Sequence, residues 1–305
     1  LRVHSFGDEQ IAPANGIDLC FQEMGDPDGE PLILVMGLAT QMLAWDEGLC
    51  GLLVERGFRV IRFDNRDIGR STKIVSAGVP RRLDMMRGRR SSAPYLLRDM
   101  AADTIGLMDH VGIESAHIVG ASMGGMIVQT MAIEHAERVR SMVSIMSNTG
   151  SRWTGMPSRK AMAVLLARPP RGRDAAVERA VKTFKVIGSP GYPFDEERIR
   201  QVAGRSYDRG HSTAGVLRQL HAITASGDRT QALRELSVPT TVIHGSGDPL
   251  VRPAGGRATA RAIPDARLKL IDGMGHDLPR QLWPVFAEEI ADTAARSRSA
   301  DKQPV

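Results

Sequence analysis

Cysteine is nearly missing from this chain. Cys20 and Cys50 are the only two among 305 residues, and neither stands in a Cys-x-x-Cys or histidine-rich spacing. That scarcity speaks against a disulfide framework and a thiolate-bound metal, so free thiols and no metal site are expected. Aromatic residues are few as well, at 4%. None is interleaved with the arginines of the one basic cluster, which removes the stacking platform a nucleic-acid partner would need. No stretch approaches eighteen uninterrupted apolar residues and no charged, apolar and small leader is visible, so a soluble cytoplasmic protein is expected. The chain starts at Leu1 rather than methionine, which leaves room for an upstream segment.

What the chain does have is glycine at telling positions. Gly120-Ala121-Ser122-Met123-Gly124 follows an apolar run at 115–119 and precedes a run at 125–135 with Met126, Ile127, Thr130, Met131 and Ile133 at helical spacings. A serine at a sharp strand-to-helix turn is a nucleophile elbow, and the strained turn demands tiny residues two positions either side. Without that flanking context the same five residues would read as an ordinary glycine-rich turn.

A serine hydroxyl needs an imidazole to take its proton and a carboxylate to orient the imidazole. Residues 239–244 read as a β-branched buried strand, and Gly245-Ser246-Gly247-Asp248-Pro249 presents Asp248 at its carboxyl end. A second strand at 266–271 runs into Asp272-Gly273-Met274-Gly275-His276, which puts His276 on a glycine-rich loop. The order Ser122, Asp248, His276 is the hydrolase order. Asp248 could also serve as a plain turn former, and Asp272 and Asp277 lie too close to His276 in sequence to orient it easily. Of the other histidines, His4 falls near the terminus and His244 is held as a possible neighbour of the acid. Two backbone N–H groups should stabilise the oxyanion, that of Met123 and that of Leu38, which follows the apolar strand at 31–35.

These parts together resemble the α/β-hydrolase superfamily over about residues 15–291. Asp64-Asn65-Arg66-Asp67-Ile68-Gly69-Arg70-Ser71 is similar to that superfamily's Asp-x-Arg-Gly-x-Gly-x-Ser segment, with Asp67 in the glycine position, and Met36-Gly37 stands where many members have His-Gly. With the Gly273-Met274-Gly275-His276 loop, the chain is most similar to the aclacinomycin methylesterase-type carboxylesterases and related bacterial lipases and esterases. The resemblance implies a Ser-His-Asp ester hydrolase that works through an acyl-enzyme without a cofactor, on a small ester with an apolar acyl or alcohol part. It also implies a mostly parallel, doubly wound α/β sheet. Thioesters, lactones, carbon–carbon bonds and perhydrolysis remain open to the same triad, and a non-catalytic ligand-binding protein is the alternative from another class.

Length and patterning agree with one large core carrying an insertion. Helices are expected at 43–56, 94–111 and 281–291, a strand at 140–147, and an edge hairpin near residues 18–23. The core is expected to comprise 1–147 and 237–295, with a disordered tail at 296–305. The stretch 148–236 is too long for a loop and reads as a helical cap, with helices at 161–167, 175–187, 196–209 and 214–224. Trp45, Trp153, Met156 and Phe184 are the candidate pocket residues, with Met162, Tyr192 and Phe194 also available, although residues of these types at helical spacing more often pack a cap internally.

The net charge of +5 is mostly scattered. Arg81, Arg82, Arg87, Arg89 and Arg90 cluster with Leu83, Met85 and Met86. A solvated loop is the ordinary reading of such a run. The sharper one is a short amphipathic piece beside the active-site mouth that draws anionic lipid surfaces or acidic substrates.

Overall fold

The computed structural model describes residues 5–165 and 167–300. Eight strands form one sheet in the order β1-β2-β4-β3-β5-β6-β7-β8. The antiparallel edge is made by β1 (Gln10–Ala14) and β2 (Ile17–Met24), joined by Asn15-Gly16 with φ of 51° and 75°. Both residues are left-handed, as a tight two-residue hairpin requires. From β4 onward every pairing is parallel, through β3 (Glu30–Val35), β4 (Phe58–Phe63), β5 (Ala116–Ala121), β6 (Val139–Ile145), β7 (Thr240–Gly245) and β8 (Arg267–Ile271).

Helices cover both faces. On β3 the side chains alternate, so Ile33 and Val35 join the core under α3 (Leu97–His110) and α4 (Met123–Glu134). Leu32 and Leu34 join the core under α1 (Glu47–Val54) and α11 (Trp283–Ala300). Because both faces are buried, the central strands read as continuous apolar runs. The stretch expected as one helix at 43–56 divides instead. A single turn at Met42–Ala44 ends at Trp45, and α1 begins afresh where the Asp46 carboxylate accepts from the Gly48 N–H at 2.9 Å.

Between β4 and α3 lies the short α2 (Arg82–Arg87). Between β6 and β7 come α5 (Arg159–Leu165), α6 (Arg173–Ile187), α7 (Glu196–Arg209), α8 (Thr213–Ser226) and α9 (Thr230–Leu233), followed after β7 by α10 (Pro253–Ala262). The sequence pattern places four of the five inserted helices and misses α9, which is a single turn.

The expected tail requires correction. Residues 296–300 continue α11, where the Arg296 guanidinium donates to the Thr240 carbonyl at 2.7 Å and to Thr241 Oγ1 at 2.9 Å. A polar helical turn anchored to a strand end looks, by composition alone, like solvated chain. Residues 301–305 of that expected tail, and His4, lie outside the described residues. Among the described residues no helix is long and apolar enough to cross a membrane.

Candidate active site

Ser122 sits between β5 and α4 with φ 56° and ψ −118°, a conformation disfavoured for any residue with a Cβ. Its N–H donates to the Ile145 carbonyl at 2.9 Å, tying the turn to β6. The flanking glycines permit the turn sterically. A Cβ on Gly124 would lie 2.0 Å from the Val35 carbonyl oxygen, and one on Gly120 would lie 2.1 Å from that of Gly124. The strain is thereby held in place by close backbone packing.

Opposite the serine, β8 ends in the loop that carries His276. His276 Nε2 lies 3.0 Å from Ser122 Oγ, and His276 Nδ1 lies 2.7 Å from Asp248 Oδ2. A carboxylate only accepts, so Nδ1 carries the proton and bare Nε2 accepts from the serine hydroxyl. Asp248 is itself fixed, since its Oδ1 accepts from the N–H groups of Leu250 and Val251 at 2.8 and 2.9 Å. Asp248 and His276 are both buried.

His244 supports the acid from below. Its Nε2 donates to the Val251 carbonyl at 2.7 Å and stands 3.6 Å from Asp248 Oδ2. Burial pushes its pKa down, against the pull of the Val251 carbonyl and Asp248. The ring is therefore held neutral, with one nitrogen directed at the turn that shapes the acid. Asp272 and Asp277 do not compete for His276: Asp272 accepts from Ser246 Oγ at 2.8 Å, and Asp277 accepts from Ser189 Oγ.

The insertion holds the histidine loop, a contact the sequence did not reveal. The His276 N–H donates to the Ile187 carbonyl at 2.7 Å, Gly275 N–H to Ser189 Oγ at 2.8 Å, and Gly191 N–H to the Gly273 carbonyl at 2.9 Å. A Cβ on Gly275 would come within 2.2 Å of the Gly188 carbonyl oxygen, so only glycine allows this approach.

The loop after β3 crosses beside the serine, where a Cβ on Gly37 would lie 3.0 Å from Ser122 Cβ. Its turn closes from Thr40 N–H to the Gly37 carbonyl and from Thr40 Oγ1 to the Leu38 carbonyl, leaving the Leu38 N–H out of the turn's own bonds. Met123, as the first residue of α4, has an N–H without an intrahelical acceptor. Two features of this loop escaped the sequence. The Met36 carbonyl accepts from Asn65 Nδ2 at 2.9 Å, and the Ala39 N–H donates to Gln219 Oε1 of α8 at 3.1 Å.

Both departures from the superfamily pattern find a physical account. Met36 packs into the core with 5% exposure, so an apolar side chain occupies the space at the strand end. Asp67 keeps the left-handed backbone of a glycine position, with φ 71°. Its carboxylate accepts from Arg218, Tyr95 Oη and the Ile74 N–H. Burial works to raise its pKa, but the hydrogen bonds from Arg218, Tyr95 and Ile74 outweigh it and leave the group below the usual carboxylate range. The aspartate in a glycine slot was the available signal that a buried cation waits opposite.

The candidate pocket residues scatter. Trp45 is fully buried in the core under α1 and α11, so it forms no wall that a ligand reaches. Trp153 is 93% exposed and projects into solvent, and Met156, 52% exposed, lies on the same strip. Trp45 is corrected as a pocket residue: an aromatic or thioether side chain has no sequence mark that separates core, wall and outer surface. Phe184 is half-buried on α6, one turn before the Ile187 contact with His276.

A family model described as alpha/beta hydrolase fold matches residues 30–187. The chain is 26% identical over 303 residues to rhodomycin D methylesterase DnrP of Streptomyces peucetius, covering 92% of this chain and 96% of that one. It is 26% identical over 259 residues to 3-oxoadipate enol-lactonase 2 of Acinetobacter baylyi, covering 85% and 86%. Among solved structures, a 2-hydroxy-6-oxo-6-phenylhexa-2,4-dienoate hydrolase from a Rhodococcus species superposes with a TM-score of 0.74 at 19% identity, over 95% of this chain and 99% of that one. At that identity the likeness speaks for the fold.

Proposed function

The chain belongs to the α/β-hydrolase fold family, and on that premise we propose that it cleaves carboxylic esters as a serine hydrolase, with Ser122, His276 and Asp248 as its triad. The observation that carries this reading is the unbroken relay of 3.0 Å from serine to imidazole and 2.7 Å from imidazole to carboxylate. Ser122 Oγ attacks the ester carbonyl while His276 Nε2 takes its proton, and Asp248 stabilises the imidazolium that forms. The carbonyl electrons move to oxygen, where the N–H groups of Leu38 and Met123 receive the charge. Collapse expels the alcohol, protonated by His276, and leaves an acyl-enzyme. Water activated by the same imidazole then releases the acid.

Residues 148–236 act in this proposal as a cap. Support comes from the two points where the insertion touches the machinery, Ile187 and Ser189 at the histidine loop and Gln219 at the loop after β3. Relatives named as methylesterases make a methyl ester the first natural type of substrate to try.

The test is hydrolysis of p-nitrophenyl esters from acetate to palmitate by the wild type and by Ser122→Ala. Turnover that disappears in the variant supports the reading, with a loss of roughly 10⁴-fold or more expected for removal of a triad nucleophile. Undiminished turnover in Ser122→Ala would sink it.

A further inference from the structure

The arginine-rich stretch singled out in the sequence folds into something more specific than a solvated loop. On α2, Met85 turns inward at 8% exposure, while Leu83 and Met86 point outward at 55% and 80%. Before it, a turn leaves Val75 and Val79 exposed as well. Both pieces hang on α8. Arg218 Nη1 donates to the Gly78 carbonyl at 2.7 Å, and left-handed Gly88 at the end of α2 approaches the Thr224 carbonyl so closely that a Cβ there would lie 2.5 Å from it.

The strip at 151–156 joins the same face. Arg152 Nη2 donates to the Arg87 carbonyl at 3.0 Å, which brings the neighbouring Trp153 to the end of α2. Further along, Arg252 N–H donates to the Gly155 carbonyl at 3.3 Å and Ser158 N–H to the Pro249 carbonyl at 2.8 Å, so the strip ends beside the turn that carries Asp248. Val75, Val79, Leu83 and Met86 on the pieces held by α8, and Trp153 on the strip that reaches the Asp248 turn, are thus large apolar side chains presented to water. Across 75–92 and 151–156 the sequence carries six arginines against one acid, Asp84.

We propose that this face, built from α2, the turn before it and the 151–156 strip, docks the protein on an anionic lipid surface, with Leu83, Met86 and Trp153 entering the headgroup region. Arginine beside exposed apolar side chains matches the two needs of interfacial binding, electrostatic attraction and burial of apolar area. A tryptophan is suited to that depth because its ring is amphipathic. A second copy of the chain is disfavoured as the occupant, since a two-fold contact would set one arginine cluster against another. Contact with a membrane would bring the strip that leads to the Asp248 turn against lipid. The inference stands apart from the ester-hydrolase reading, because its test measures binding.

The experiment is flotation and fluorescence with vesicles of phosphatidylcholine alone and of phosphatidylcholine with about 30 mol% phosphatidylglycerol. Trp45 and Trp283 are buried, at 0% and 7%, so a blue shift of emission on binding reports Trp153. The proposal expects binding and a blue shift with the anionic vesicles and little with the neutral ones. It expects affinity at least about tenfold weaker in Leu83→Ser/Met86→Ser, and binding abolished in Arg81→Glu/Arg87→Glu/Arg90→Glu. Both variants should hydrolyse a soluble ester as the wild type does, which also shows that they fold. The shift should vanish in Trp153→Phe while flotation persists. Absence of wild-type binding, equal binding to neutral vesicles, or unchanged binding by either multiple variant overturns it. So does a wild-type dimer in solution that Leu83→Ser/Met86→Ser converts to a monomer, which would assign the face to self-association.

Discussion

Asp67 and Arg218 meet through two parallel contacts, Oδ1 to Nη2 at 2.5 Å and Oδ2 to Nε at 2.8 Å, with both side chains shut away from solvent. One partner belongs to the segment after β4, the other to α8 of the insertion. Gln219, the next residue on α8, bridges the Ala39 N–H and the Arg66 carbonyl. The pair therefore fastens α8 to the sheet where the loop carrying Leu38 begins. A glycine at position 67 would satisfy the backbone and could make no such clamp.

Asp67→Ala leaves the Arg218 guanidinium buried without its carboxylate and keeps the left-handed strain. Breaking one side of a buried ion pair costs about 3–5 kcal/mol, so chemical denaturation should show a loss of that order. Asp67→Gly/Arg218→Leu, which removes both charges and the strain, should recover most of it. A double variant no more stable than Asp67→Ala would show that the pair is not the clamp.

Gln219→Ala removes an acceptor from Ala39 N–H and a donor from the Arg66 carbonyl, without touching the proposed triad. If the proposed oxyanion site depends on the Leu38 N–H, the loss falls on the transition state. Steady-state kinetics on p-nitrophenyl acetate should show kcat lower by roughly 10–100-fold with KM changed little. Gln219→Glu keeps an acceptor for Ala39 and should recover part of kcat. A rise in KM at constant kcat would instead make Gln219 a substrate contact.

Most of the sheet, and the meeting of Ser122, Asp248 and His276, could be read from sequence, because each rests on a local rule. Buried parallel strands are continuous apolar runs, and Gly120 and Gly124 are demanded by backbone contacts only 2.0–2.1 Å from an added Cβ. What could not be read is held by contacts between distant segments. Ser189 meets Gly275 across 86 residues and Gln219 meets Ala39 across 180, and neither leaves a periodic trace. Trp45 and Trp153 show the same limit from the other side, since identical side chains ended in the core and in solvent. The tail was misjudged at 296–300 because a polar final turn is held by Arg296 reaching Thr240, a contact invisible to composition.

His117 gives the fold a pH dependence of definite sign. It lies buried in β5, with Nδ1 2.8 Å from Ser141 Oγ and the ring edge-on to Phe58. Burial, aided by Arg140 and Arg298, lowers its pKa to about 4. Glu30 stands 3.7 Å from Nε2 and would pull the other way, but its carboxylate is engaged by Arg298 at 2.7 Å. Between about pH 6.5 and about pH 4 the unfolded chain takes up a proton that the folded chain refuses. Stability therefore falls as pH drops through that window, by an amount of about 3 kcal/mol from this group. Denaturation midpoints measured from pH 7 to 4 should lose that part of their slope in His117→Gln, and an unaltered slope would clear His117 of the effect.

Ser189 joins the insertion to the loop that carries His276. Its hydroxyl donates to the Asp277 carboxylate and accepts from the Gly275 N–H at 2.8 Å, on the two sides of His276. Burial raises the Asp277 pKa, with the Ser189 hydrogen bond and the nearby His276 opposing it. Ser189→Ala takes the acceptor from Gly275 N–H and leaves Asp277 only the backbone hydrogen bond from residue 189. The buried Gly275 N–H left without its acceptor should cost about 1–3 kcal/mol in stability. The more telling effect is on geometry: a loop freed on both sides of His276 no longer holds Nε2 at the 3.0 Å from Ser122 Oγ that the proposed proton transfer needs. Loss of stability alone lowers the folded fraction and is repaired by assaying well below the melting temperature. Mispositioning persists there, so kcat for a p-nitrophenyl ester should remain about tenfold or more below wild type. Ser189→Thr keeps the hydroxyl and should retain activity. Full activity in folded Ser189→Ala would mean that the Ile187 carbonyl, 2.7 Å from the His276 N–H, is sufficient to hold the loop alone.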